Sequence, residues 1–141
     1  MEGLIQAVLD LPKEKQNQPP NAKCFSPSGV LEHMALVEVI YPPMVSSTGS
    51  WRRAGFIYGR VLERMRSAKK IGTMGSMTPR AELPPEETAA KWRKARADIE
   101  AKLQTTPDAV LRHPLFGTMT EDQLWDLLDA HTHYHLVNLN G

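Results

Sequence analysis

Three of the five histidines in this 141-residue chain fall on apolar stripes of predicted helices. His131 and His135 continue a stripe that Leu124 and Leu128 begin, in steps of four, three and four residues, the spacing of a helix-bundle seam. Two imidazoles four residues apart on a helix project from one face, close enough to bind a single ion. His33 lies on an earlier apolar stripe, so it is also predicted to point inward.

Three histidines that face a core need partners for their ring nitrogens. A buried imidazole without a partner is costly, and neighbouring imidazoles cannot all be protonated side by side. A divalent metal ion satisfies them directly, because neutral imidazole is its ligand. His33, His131 and His135 are therefore candidate metal ligands. The alternative interpretation is a set of core histidines bonded to carbonyl or hydroxyl groups.

Three neutral nitrogen ligands would leave an ion its full charge and at least one open coordination position. Such an ion acidifies a bound water toward neutrality or holds a thiolate substrate. Imidazole ligands suit zinc, nickel, iron or cobalt rather than magnesium or calcium. Groups that could act as a base or orient a substrate are Asn138 on the seam beyond His135, Tyr41 on the core side of the second helix, and Glu38 at its edge. Polar residues bonded at the end of a core are the alternative.

Helical spacing of apolar residues recurs five times, whereas apolar and polar residues almost nowhere alternate as in strands. The predicted helices cover residues 2–11, 26–41, 50–67, 86–104 and 120–139. Ser26 is a predicted N-cap, and Thr120 with Gln123 has the spacing of a capping box. The pattern predicts one all-α domain over residues 1–141, a four-helix bundle with a short additional N-terminal helix.

Composition narrows the possible functions. Apolar residues make up 41% and charged residues 23%, the range of an ordinary globular protein. The net charge of +1 gives no field for gathering polyanions, and the basic residues between positions 52 and 80 are explained by a solvated outer surface, so no nucleic-acid partner is predicted. One cysteine excludes an internal disulfide, and no apolar run at the N-terminus is long enough for a membrane anchor. A cytoplasmic setting follows.

Three stretches carry a resemblance to a known family. They are FSPSGVLEHMA at 25–35, HPLFG at 113–117, and the segment from Met119 through Trp125 to AHTHYHL at 130–136. In order and separation these motifs resemble the DinB-like superfamily of metalloenzymes. The resemblance covers the chain from about Phe25 onward, whereas the Pro- and Gln-rich residues 13–20 interrupt the helix that relatives continue.

The resemblance implies a fold, a site and a range of activities. The fold is a four-helix bundle in up-down-down-up order, in which His33 of the second helix and the pair His131 and His135 of the last helix bind a divalent metal. Relatives are often homodimers and include metal-dependent hydrolases and thiol S-transferases that act on small molecules. A bundle that binds metal without turnover, or is purely structural, is the alternative.

The other chemically capable residues receive no metal-binding role. His133 faces away from its two neighbours and is predicted to lie on the surface. His113 precedes Pro114, so a turn or capping role is expected. Cys24 precedes the predicted cap of the second helix and is interpreted as a buried or half-exposed, inert thiol.

Overall fold

The computed structural model describes residues 1–21, 24–47, 53–73, 75–80 and 83–139, and most of them are helical. The α-helices are α1 (Glu2–Leu9), α2 (Lys13–Gln16), α3 (Pro27–Glu38), α4 (Phe56–Arg66), α5 (Pro85–Thr105) and α6 (Glu121–Leu139). The strands are β1 (Val45–Ser47), β2 (Ala109–His113) and β3 (Gly117–Met119), and short 3-10 turns occupy Pro42–Met44 and Gly75–Met77. No helix within these ranges is both long and apolar enough to cross a bilayer.

Local sequence explains where the two site-bearing helices begin. The Ser26 hydroxyl accepts a hydrogen bond from the Gly29 N–H at 3.1 Å, and Pro27 stands at the first position of α3, where it loses no helical hydrogen bond. At α6, the Thr120 N–H donates to the Gln123 side chain at 3.0 Å, and the Gln123 N–H donates to the Thr120 hydroxyl at 3.2 Å. The predicted N-cap and capping box are both confirmed.

The prediction of an all-α fold is wrong, because the three strands form an antiparallel sheet in the order β1-β2-β3. Val45 pairs with Leu111, and Leu111 pairs with Met119, so these three buried side chains line one face of the sheet. Each strand has only three to five residues, too few for an alternating pattern to stand out. The pairing of β1 with β2 also joins segments that are distant in the sequence, and no local sequence pattern indicates such a pairing.

The third predicted helix is shorter than expected. Ala54 lies outside any helix, and its N–H donates to the Thr118 carbonyl at 2.8 Å, while Arg53 forms a parallel bridge with Thr118. α4 therefore begins only at Phe56. Residues 50–52, at the start of the predicted helix 50–67, lie outside the described residues.

The helices bury two clusters of apolar side chains. α3 packs mainly against α5, and α4 packs mainly against α6. The first cluster joins α1, α3 and α5 around Trp92, and the second joins the sheet to the end of α3, the end of α5 and the first half of α6. α1 is short, but it buries Leu4, Ile5 and Val8 completely, whereas Leu9, which has the same helical spacing, is half-buried.

Ala68, two residues beyond the end of α4, has an unfavourable backbone conformation. Ala68 has a φ of 50°, in the left-handed region, which costs a non-glycine residue about 1–2 kcal/mol. Ala68→Gly should relieve that cost, offset in part by about 0.4–1 kcal/mol of added freedom in the unfolded chain. We expect a net stabilisation of about 0.5–1 kcal/mol in urea unfolding. The same change at Ala97, inside α5, should destabilise, and a loss of stability at position 68 would contradict this account.

Candidate metal centre

Helices α3 and α6 bring the three predicted histidines together inside the protein. His33 lies in the middle of α3 and is 4% exposed, whereas His131 and His135 lie one turn apart on α6 and are 8% and 9% exposed. The helical spacing predicts that these three histidines point inward, and their burial confirms it.

The ring nitrogens converge on one point. His131 Nε2 lies 3.3 Å from His33 Nε2 and 3.1 Å from His135 Nε2. One nitrogen from each of the three rings lies within 4.8 Å of the others. Two ligands at bond lengths of about 2.1 Å around a tetrahedral ion stand about 3.4 Å apart. The spacing therefore fits three ligands of a single ion, with modest adjustment of the longest separation.

A backbone carbonyl determines which nitrogen of His33 faces the cluster. His33 Nδ1 lies 2.7 Å from the Met77 carbonyl oxygen. A carbonyl can only accept, so Nδ1 must carry the proton, and in neutral imidazole Nε2 then has the free lone pair. This arrangement, one ring nitrogen donating to a carbonyl and the other facing the ion, is typical of metal-binding histidines.

Hydrogen bonds alone satisfy the cluster poorly. Each imidazole nitrogen carries either one proton or one lone pair, so His131 Nε2 cannot make two full hydrogen bonds to its two neighbours. A cation at the centre accepts all three lone pairs at once. The donor set therefore fits a transition metal better than it fits a network of histidines alone.

Burial keeps all three rings neutral. It lowers the pKa of His33, an effect that the bond to Met77 partly offsets. It lowers the pKa of His131 well below the usual value, with further lowering by the positive charges that His135 and His33 would carry. The pKa of His135 falls to about 3, through burial and then the charge of His33. At pH 7 the rings are therefore in the form that binds a metal.

These lowered pKa values should make the metal-free protein sensitive to acid. Below pH about 6.5 the three histidines become protonated in the unfolded chain but stay neutral in the folded protein. The free energy of unfolding is therefore greatest above that pH and falls as the pH drops. Each histidine contributes up to about 1.4 kcal/mol per pH unit, and for His135 the loss continues down to its folded pKa of about 3. Urea unfolding between pH 7.5 and 5 measures the slope. His135→Leu should reduce it, and an unchanged slope in that variant would contradict the assignment.

The groups expected to support the site lie elsewhere. Glu38 is fully buried, and both its oxygens accept hydrogen bonds of 2.7 Å from the guanidinium of Arg96. Tyr41 is buried, with its ring packed against that of His113, and burial followed by the charge of Glu38 raises its pKa. The expectation that Asn138 lies on the buried seam is wrong: the helix turns it outward by its last turn, where it is exposed.

The remaining reactive residues lie outside the histidine cluster. His133 is exposed. His113 ends β2, and its Nδ1 accepts hydrogen bonds from the N–H groups of Leu115 and Phe116 at 3.1 and 3.2 Å, which confirms its role in a turn. Cys24 is an exposed free thiol, so the expectation that it is buried or half-exposed is wrong.

Sequence reasoning missed the groups that surround the histidines. The Phe25 ring lies 5.3 Å from that of His33, and the Tyr134 ring meets that of His135 edge-on at 4.9 Å. The Met77 carbonyl is the third such group. Tyr134 could have been found from the sequence, because it is an aromatic residue next to His135. The Met77 carbonyl could not, because a backbone contact from a distant loop does not depend on residue type.

Comparison with known proteins supports the fold. No protein-family model matches the chain, and no curated protein matches it. Among solved structures the chain is similar to TT2238, a four-helix bundle protein, with a TM-score of 0.56 and 22% sequence identity over 99% of this chain and 88% of that one. At this identity the likeness concerns the fold alone. The protein therefore has a four-helix bundle fold together with a small three-stranded sheet.

Proposed function

We propose that the protein binds one divalent transition metal ion through His33, His131 and His135 and uses it on a small-molecule substrate. The convergence of three neutral, buried imidazole nitrogens within 4.8 Å carries this proposal. The resemblance of the histidine motifs to the DinB-like superfamily points to the same three residues, and the proposal takes from it the up-down-down-up order and a homodimer. The single domain and the cytoplasmic setting are further parts of the proposal, and they rest on chain length and cysteine content.

When bound, a zinc, nickel, iron or cobalt ion would keep its positive charge and an open position, which favours the deprotonated form of a thiol or water. The chain's own residues prepare that position. His33 holds its proton on Nδ1 against Met77 and directs Nε2 to the centre. Phe25 and Tyr134 pack against the rings and restrict their rotation.

Of the two activities suggested by the resemblance, thiol S-transfer has more support than hydrolysis. Hydrolysis usually requires a general base beside the ion. Within the described ranges the cluster comprises three histidines and no carboxylate. Glu38, the acidic residue considered from sequence, is held by Arg96 through both oxygens. Thiol transfer depends less on a general base, because the ion itself would stabilise the thiolate form of the substrate.

The test is turnover by metal-loaded protein. We expect conjugation of a low-molecular-weight thiol to an electrophile, lost on chelation and restored by adding the metal, with weaker or no cleavage of amides and esters. Cleavage without thiol transfer would favour the hydrolase, and thiol transfer that persists in metal-free protein would contradict the proposal.

A second candidate is a metal-binding bundle without turnover. It is favoured by the burial of the site, since none of the three rings is more than 9% exposed. This candidate predicts stoichiometric metal that raises the melting temperature but no reaction with either substrate panel.

A further inference from the structure

The loop between α4 and α5 crosses the turn of α3 that carries His33. The Met77 carbonyl accepts the hydrogen bond from His33 Nδ1 at 2.7 Å. Three residues later the Arg80 N–H donates to Glu32 Oε1 at 3.1 Å. Two neighbouring residues of α3 thus bind the backbone of residues 75–80, which we call the strap.

Gly29 of α3 lies beside the strap. A Cβ placed on Gly29 would lie 3.6 Å from the Cβ of Pro79, within van der Waals contact. Gly29 stands one turn before His33, so a larger side chain there would occupy the space into which Pro79 packs. The strap therefore rests on the same face of α3 at Gly29, Glu32 and His33.

The loop is also attached to α6 where it begins. The Ile71 N–H donates to the Tyr134 hydroxyl at 3.4 Å, and the Tyr134 ring packs against that of His135. Residues between α4 and α5 therefore contact both helices that supply the histidines, since Ile71 contacts α6 and the strap contacts α3. The burial of the strap is modest, since Met77 and Pro79 are half-buried and Arg80 is exposed.

We propose that the strap holds His33 in its metal-binding tautomer and orientation, and that Glu32 is the positioning residue that fastens it. The inference rests on the proposed metal site. If the Met77 carbonyl moves away, the proton of His33 can reside on Nε2 instead, which removes the lone pair from the centre. Loosening the strap should thus weaken metal binding although every ligand remains.

The test compares Glu32→Leu with Glu32→Gln in the full-length protein. Leucine cannot accept the Arg80 N–H, whereas the glutamine amide oxygen can, so the second variant is the matched control. Nitrogen-15 NMR of labelled histidine in metal-free protein reports the tautomer, and transfer of zinc to a chelator reports the dissociation rate. Gly29→Leu provides a second way to displace the strap. Gly29→Ala is its control, because a Cβ alone meets the Ser26 hydroxyl at 3.1 Å and Phe25 at 3.5 Å but Pro79 only at an ordinary contact distance of 3.6 Å.

In the wild type and in Glu32→Gln we expect the Nδ1–H tautomer of His33. In Glu32→Leu and Gly29→Leu we expect a mixture of tautomers, and zinc dissociation about tenfold faster, the usual effect of losing a group that orients a ligand. An unchanged tautomer in both strap variants overturns the role of the strap, whether or not zinc binds. Failure of the wild type to bind zinc overturns the proposed function instead.

Discussion

Replacing His131 with alanine should abolish metal binding with the largest effect of any single substitution. Its Nε2 lies between those of His33 and His135, at 3.3 and 3.1 Å, so its loss leaves the other two as an incomplete pair. Losing a group that only orients a ligand costs about 10–100-fold in affinity, and losing the central ligand should cost more than about 100-fold. Competition between the protein and a calibrated chelator for zinc measures the change.

The control is His133→Ala, which removes an exposed imidazole from the same helix. It should leave zinc affinity unchanged within the error of the titration. If both variants lose affinity equally, or neither does, the metal is held elsewhere. His131→Leu separates structure from binding further, because an apolar side chain at this buried position should preserve the metal-free fold while removing stabilisation by zinc.

Arg96→Leu should cause the second large effect, this time on stability. Glu38 is fully buried, the Arg96 side chain is 11% exposed, and the two form a two-point ion pair between α3 and α5. Removing the cation leaves a buried carboxylate without its partner, which costs about 3–5 kcal/mol. Urea unfolding at pH 7 measures the loss.

Two further variants test that explanation. Converting both Glu38 and Arg96 to leucine should recover most of the loss, because no buried charge then remains unpaired. Arg93→Leu breaks the exposed pair between α5 and Glu2 and should have a much smaller effect. A double variant as unstable as Arg96→Leu would show that the loss comes from packing, for example of the guanidinium over the Trp125 ring.

Local patterns explain how much of the fold could be predicted. The caps at Ser26 and Thr120 act within three residues, so the sequence places the starts of α3 and α6 correctly. The stripe periodicity also identifies which histidines are buried. By contrast, the pairing of Val45 with Leu111 joins segments that are distant in sequence, and no local pattern indicates it.

The candidate site divides in the same way. His33, His131 and His135 could be predicted because burial follows helical spacing, and the structure then brings them together. The supporting groups could not. Glu38 was assigned by its position at the edge of a stripe, but its charge is neutralised by an arginine 58 residues away. Asn138 continued the spacing of the seam, yet at the end of α6 it is Leu136 and Leu139 that pack against the first cluster, and Asn138 is exposed.

The most direct test of the central claim is X-ray absorption spectroscopy at the metal edge of protein purified without chelators. The account predicts about one metal ion per chain, with a shell of three imidazole nitrogens at about 2.0–2.1 Å for zinc. Fewer than three imidazoles around the ion, a sphere dominated by carboxylate or sulfur, or protein that takes up no transition metal would contradict it.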